Sequence, residues 1–185
     1  MPDNISRELV CHPLTAAGGT DAIEVAVAAE AGDKLALSFV LHGDLDNLQL
    51  PVGKPCRRMD ELWRHTCFEA FLMPGDGPGY REYNFSPSGE WASYMFRDYR
   101  QVHDQRISQT EDEPAPVIRV HRGARSLTLE AELPLPVLTD RSLRLGLSAV
   151  TEAADGKLCY WALRHPPGKP DFHHLDAFDL QLDLR

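Results

Sequence analysis

Residues 61–100 read ELWRHTCFEAFLMPGDGPGYREYNFSPSGEWASYMFRDYR, and their pattern decides the fold class. Residues 66–73 are apolar and aromatic, with Phe68, Ala70 and Leu72 on one side of an extended chain and Cys67, Glu69 and Phe71 on the other. Such period-two ordering is the signature of a strand, because successive side chains leave a pleated backbone on opposite faces. The run PGDGPG at 74–79 is a turn, 80–85 extends again, SPSG at 86–89 turns, and 90–97 returns. Three strands joined by Gly- and Pro-rich turns form a meander. Its rings and charges are interleaved, which suits one face in a core and the other lining a polar, aromatic surface.

Working outward, residues 22–29 alternate with Ile23, Val25 and Val27 in phase, and 34–41 repeat the pattern with Leu35, Leu37, Phe39 and Leu41. The short turn at 30–33 between them makes a β-hairpin. Residues 43–59 lack periodicity and read as a long loop, with one short helical turn at 60–65. A polar segment at 100–116 reads as a surface loop. Strands follow at 117–121, 126–133, 143–149, 158–164 and 178–184, with Pro134 and Pro136 bracketing a short irregular or helical piece and 152–157 turning. About ten strands and no helix of three turns point to an all-β antiparallel sandwich, with a closed barrel as the alternative.

A chain of 185 residues is expected to form one domain with a full hydrophobic core. A formal net charge of −9 argues against nucleic acid or an anionic membrane as partner, since both select a basic face. Neither a signal-peptide run nor a membrane-length apolar window occurs, and the chain begins with Met, so the expectation is a cytoplasmic protein. The four Cys, at 11, 56, 67 and 159, show no CxxC spacing. Cys67 and Cys159 read as buried thiols acting as small hydrophobes.

Glu69 lies between Phe68, Ala70 and Phe71, where a carboxylate is costly unless paired or hydrogen-bonded. It reads as either a structural ion pair, with Arg64, Arg81 or Arg97, or a ligand-binding group. Use as a catalytic acid would require a second carboxylate across a cleft, and neither Glu82 nor Glu90 is evidently placed for it. Trp63, Trp91 and Trp161 have polar flanks, which suits stacking on a sugar, although core positions suit them equally. Asn84 and Ser86 serve either a turn or a ligand. Arg64, His65, Arg100 and Lys169 complete the polar candidates. A second concentration, YWALRHPPGKPDFHH at 160–174, offers His165, Asp171 and His173. These three, with Glu69, allow an alternative reading as a metal-assisted enzyme. The adjacent His173 and His174 diverge in an extended chain, however, and HExxH spacing is absent. Haem binding is a further alternative, for which Met59, Met95 and His65 are the available groups. No GxSxG, Walker loop or GxGxxG is present. Cofactor and metal are left open.

The succession LWRHTCFEAF, YREYNFSPSGEW and YMFRDYR, together with YWALRHPPGKPDFHH, resembles the bacterial DOMON-like proteins, which are related to the family-nine carbohydrate-binding modules. The resemblance spans roughly residues 20–184. It implies a jelly-roll-like β-sandwich occupying the whole chain, binding a small ligand without chemistry of its own. In the wider superfamily that ligand is a sugar or a haem. Glu69, Asn84 and Trp91 fall on positions typical of the family, and the implied ligand is a carbohydrate or cell-wall fragment.

Overall fold

The alternation becomes two antiparallel sheets in the computed structural model, which describes residues 4–30, 34–75, 79–102, 114–135 and 142–183. In chain order the strands are β1 (Ile5–Glu8), β2 (Val10–Cys11), β3 (Thr20–Glu30), β4 (Lys34–Gly43), β5 (Cys67–Pro74), β6 (Tyr80–Phe85) and β7 (Trp91–Asp98). They continue as β8 (Gln101–Val102), β9 (Val117–Arg122), β10 (Ser126–Pro134), β11 (Ser142–Glu152), β12 (Leu158–Ala162) and β13 (Leu180–Asp183). The smaller sheet has the order β1-β3-β4-β10-β9. The larger has the order β2-β12-β11-β5-β6-β7-β8, with β13 pairing the Ser142–Leu145 half of β11. The expected all-β, jelly-roll-like sandwich is what the chain forms, with thirteen strands among the described residues where about ten were expected. The expected turns at 30–33 and 74–79, the loop at 100–116, and the piece bracketed by Pro134 and Pro136 fall partly outside those residues.

The inward stripes meet as a single core. Phe39, Leu41, Leu127 and Leu129 from the smaller sheet pack against Phe68, Leu72, Phe85, Leu145 and Leu147 from the larger, all essentially without solvent contact. The Phe39 and Phe68 rings, 5.2 Å apart, join the layers at the centre. Each such side chain contributes about 1.5–3 kcal/mol on burial. Where β3 bulges between Thr20 and Ala22, Gly43 lies against it so closely that a Cβ would sit 2.1 Å from the Gly19 carbonyl oxygen. That position accepts only glycine.

Three strands lie outside the expected ten: β1, β2 and the two-residue β8, which falls at the start of the expected loop at 100–116. β1, ISRE, is an edge strand held by backbone pairing from Ile5–Val27 to Glu8–Glu24 and mostly exposed, so it carries no alternation to read. Leu9, buried beyond its end, donates its amide to Ile23 at 2.8 Å, and the chain then joins the other sheet as β2 beside β12.

The outer face of the larger sheet is itself covered. Phe71, Met73, Tyr80, Phe96, Val150 and Ala162 form a second apolar cluster with Phe172 and Phe178 from the loop at 163–179. Gly146 permits that loop to approach, since a Cβ there would lie 3.3 Å from the Ala177 carbonyl oxygen. Arg144 fixes its end by donating from Nη2 to the Phe178 carbonyl at 3.1 Å. Among the described residues no helix is long and apolar enough to cross a membrane.

Candidate functional site

Between this loop and the sheet's outer face lies a cavity of about 430 Å³. Its floor is drawn from five strands: Glu69 of β5, Glu82 of β6, Tyr94 and Phe96 of β7, Val150 of β11 and Tyr160 of β12. Pro170, Phe172 and His173 supply the loop wall, with Trp63 and Arg100 at the rim. The volume falls within the range of about 300–1,000 Å³ usual for small-ligand sites.

Register brings the two carboxylates together. β5 and β6 pair Glu69 with Asn84 and Phe71 with Glu82, so Glu69 and Glu82 are diagonal neighbours on one face. Both are almost fully buried, at 3% and 5% exposure. Ser148 Oγ reaches Glu69 Oε2 at 3.4 Å, and Asn84 Nδ2 donates to Glu82 Oε1 at 2.7 Å. Burial, reinforced by the charge of Glu82, pushes the Glu69 carboxyl well above its usual range. Burial likewise pushes Glu82 up to about 7, against the opposing Asn84 hydrogen bond and the Arg100 charge. The buried Cys67 thiol behind them is raised by desolvation and by both carboxylates.

The loop side is a hydrogen-bonded chain. His173 Nδ1 and the Tyr80 hydroxyl are 2.8 Å apart, while His173 Nε2 lies 3.7 Å from Glu82 Oε2. Burial, aided by Arg100, lowers the imidazole to about 4, so it is neutral at physiological pH. Asp171 accepts from Tyr99 Oη, from Arg100 Nη2 at 2.9 Å and from the His173 amide at 3.1 Å. Tyr99 and Arg100 form the tight turn between β7 and β8, in which Asp98 pairs with Gln101. Arg100 adopts φ 53°, a left-handed conformation that costs a non-glycine residue roughly 1–2 kcal/mol. The strain is accepted where the guanidinium ties the hairpin tip to the loop.

Of the residues expected from sequence, Trp63, Glu69, Arg100 and His173 line the cavity, and Asn84 and Asp171 stand directly behind as partners of Glu82 and Arg100. The others lie elsewhere. Trp91 and Trp161 point into the sandwich core at 5% and 4% exposure, the latter donating from Nε1 to Thr151 Oγ1 at 3.2 Å. Of the two readings the sequence leaves open for them, these rings take the core position, because strand parity and not the flanking residues sets the direction of a ring. Arg64 pairs with Glu61 at 2.8 Å and lies over the Trp63 ring, and His65 binds Glu152 at 2.7 Å. Ser86 serves the turn, bonded to Ser88. His165 contacts the Val10 carbonyl at 2.8 Å and packs edge-on against His12, while Lys169 is exposed. His165 therefore does not converge with Asp171 and Glu69 on the cavity, and no group of three or more metal-donor side chains occurs among the described residues. Glu82, Tyr94, Phe96, Tyr160 and Phe172 were not foreseen as lining. They come from three strands and a loop, and the register and loop path that unite them leave no mark in the sequence pattern.

No known family model matches the chain. It is 25% identical over 156 residues to the UPF0462 protein C4orf33 homolog of Mus musculus, covering 80% of this chain and 76% of that protein. It is 27% identical over 135 residues to the human UPF0462 protein C4orf33, covering 69% of this chain and 64% of the relative. In structure it is similar to a proposed carbohydrate-binding protein from Bacteroides uniformis, with a TM-score of 0.63, 12% identity, and coverage of 98% of this chain and 86% of that one. At that identity the likeness shows the sandwich fold and no more.

Proposed function

We propose that the chain is a non-catalytic, DOMON-like ligand-binding domain whose cavity takes a carbohydrate or cell-wall fragment. The carrying observation is the cavity's composition: rings from Trp63, Tyr94, Phe96, Tyr160 and Phe172 surround the polar groups of Glu69, Glu82, Arg100 and His173. Ring faces suit the apolar face of a pyranose, and carboxylates with a guanidinium suit its hydroxyls. The fold likeness to a proposed carbohydrate-binding protein supports the same reading.

Trp63, 45% exposed, is the Trp that borders the cavity, so its fluorescence reports on occupancy. Titration with a panel of mono- and disaccharides should quench or shift emission saturably, and Trp63→Ala should abolish that change and weaken binding seen by calorimetry. A folded protein silent to the whole panel by both methods overturns the reading.

A further inference from the structure

Three glutamates are buried on or beside the larger sheet, and the protein treats them differently. Glu90, at 3% exposure, is met by Arg57 Nη2 at 2.8 Å and Lys54 Nζ at 3.3 Å. Despite its burial, hydrogen bonds from Arg57, Ser88 and Lys54 hold its carboxyl below the usual range. Among the described residues, Glu69 and Glu82 receive no such Lys or Arg partner. The groups around them are Cys67 and Phe71 of β5, Tyr80 and Asn84 of β6, Tyr94 and Phe96 of β7, Ser148 and Val150 of β11, and Tyr160 of β12. Arg100, Asp171, Phe172 and His173 close the set. Among these, the cationic candidates are Arg100 and His173. Arg100 is committed to Asp171, and His173 is neutral wherever Glu82 ionises. A buried carboxylate without a counter-charge costs several kcal/mol, and retaining two at the floor of an aromatic-walled cavity leaves a place for a cation to fill.

We propose that the cavity recognises a ligand bearing a protonated primary amine, seated between Glu69 and Glu82, so that an amino sugar is preferred over its neutral counterpart. The inference rests on the carbohydrate reading of the cavity and narrows it. Two of the ammonium's three donors are matched by Glu69 Oε1 and Glu82 Oε2, the oxygens that Ser148 and Asn84 do not take. Seating it favours the ionised form of Glu82, so binding below pH 7 releases a proton to solvent. The ionised fraction of Glu82 falls from about a half at pH 7 to about a hundredth at pH 5, so affinity for the amine should fall on the order of 50-fold over that interval.

Calorimetry on the full chain tests this with glucosamine, glucose and N-acetylglucosamine, and with benzylamine against benzyl alcohol. The expected result is glucosamine at least tenfold tighter than glucose or N-acetylglucosamine at pH 7. At pH 6 its heat should differ between phosphate and the tertiary-amine buffer Bis-Tris, showing proton release. Glu82→Gln should collapse the glucosamine-to-glucose preference toward unity. This variant removes a buried charge and keeps an acceptor for Asn84, so it folds; its unfolding curve confirms that. Equal affinity for glucosamine and glucose, unmoved by pH or by Glu82→Gln, overturns the amine inference and leaves the carbohydrate reading standing. Benzylamine binding that depends on pH and Glu82, with all sugars silent, upholds the amine inference and overturns the carbohydrate reading. Silence from every probe overturns both.

Discussion

Replacing Glu82 by Gln should make the protein more stable at alkaline pH, by an amount the structure sets. The carboxyl is 5% exposed, and its pKa rises from 4.5 to about 7 on folding, chiefly through burial. Because the folded value lies above the unfolded one, the native state holds the proton more tightly. The stability from this group is therefore full below pH 4.5 and is lost as pH rises through about 7. At about 1.4 kcal/mol per pKa unit the loss is about 3 kcal/mol by pH 8. Gln carries no charge to lose and still accepts from Asn84 Nδ2. The stability difference between variant and parent should thus grow by about 3 kcal/mol in favour of the variant between pH 4 and pH 8. Relief of the neighbouring Glu69, whose raised pKa owes its second cause to Glu82, acts in the same direction. Urea unfolding at half-unit pH steps measures it, and taking the difference cancels groups that titrate alike in both proteins. Parallel curves for parent and variant would falsify the claim that Glu82 is held protonated in the fold.

The three Trp should separate cleanly: Trp63→Ala weakens sugar binding with a stability change within about 0.5 kcal/mol, whereas Trp161→Ala costs about 3–5 kcal/mol in chemical denaturation. A large stability loss at Trp63 would show that its rim position is wrong. Asp171→Asn releases Arg100 and Tyr99 and should destabilise by under about 1 kcal/mol at pH 7, because the Arg100 side chain is 54% exposed and its charge screened. Burial works against Asp171, yet hydrogen bonds from Tyr99 and Arg100 hold its carboxyl below 3.8, so this difference is present above pH 3.8 and shrinks as pH falls below it. A difference that persisted undiminished at pH 3 would mean charge plays no part. Cys11 Sγ and Cys159 Sγ lie 3.2 Å apart between β2 and β12, so oxidised glutathione should join them, giving a cross-linked peptide on mapping. Modification of the exposed Cys56 without that cross-link would count against the pairing.

How far the sequence could be read depends on contrast between faces. β4 alternates buried and partly exposed residues along its whole length, and it was read with nearly its observed bounds, because one face meets the core and the other meets solvent. The sequence also separates the two faces of β5 as observed, and the structure shows Phe68, Ala70 and Leu72 to be the inward one, although every residue from Cys67 to Met73 is buried. Its second face lies under the 163–179 loop, and this covering is what turns that face into a site. β12 is the opposite case: in Leu158–Ala162 both faces are apolar, so the pattern leaves open which of Trp161, in the core, and Tyr160, lining the cavity, turns inward.

The pairing of Glu69 with Glu82 shows where the limit lies. Glu69 is visible in the sequence as a carboxylate among apolar neighbours, whereas Glu82, between Arg81 and Tyr83, carries no such mark. Whether the two glutamates are neighbours depends on the β5–β6 register, which alternation along either strand leaves open. A shift of two residues would preserve both hydrophobic faces while moving Glu82 beside Met73 or directly opposite Glu69. The first arrangement separates the charges, and the second brings two buried carboxylates to the closest cross-strand approach. The observed diagonal lies between these, close enough for the Glu82 charge to resist the ionisation of Glu69. A register change inserted between β5 and β6 should therefore alter ligand preference before it alters the fold.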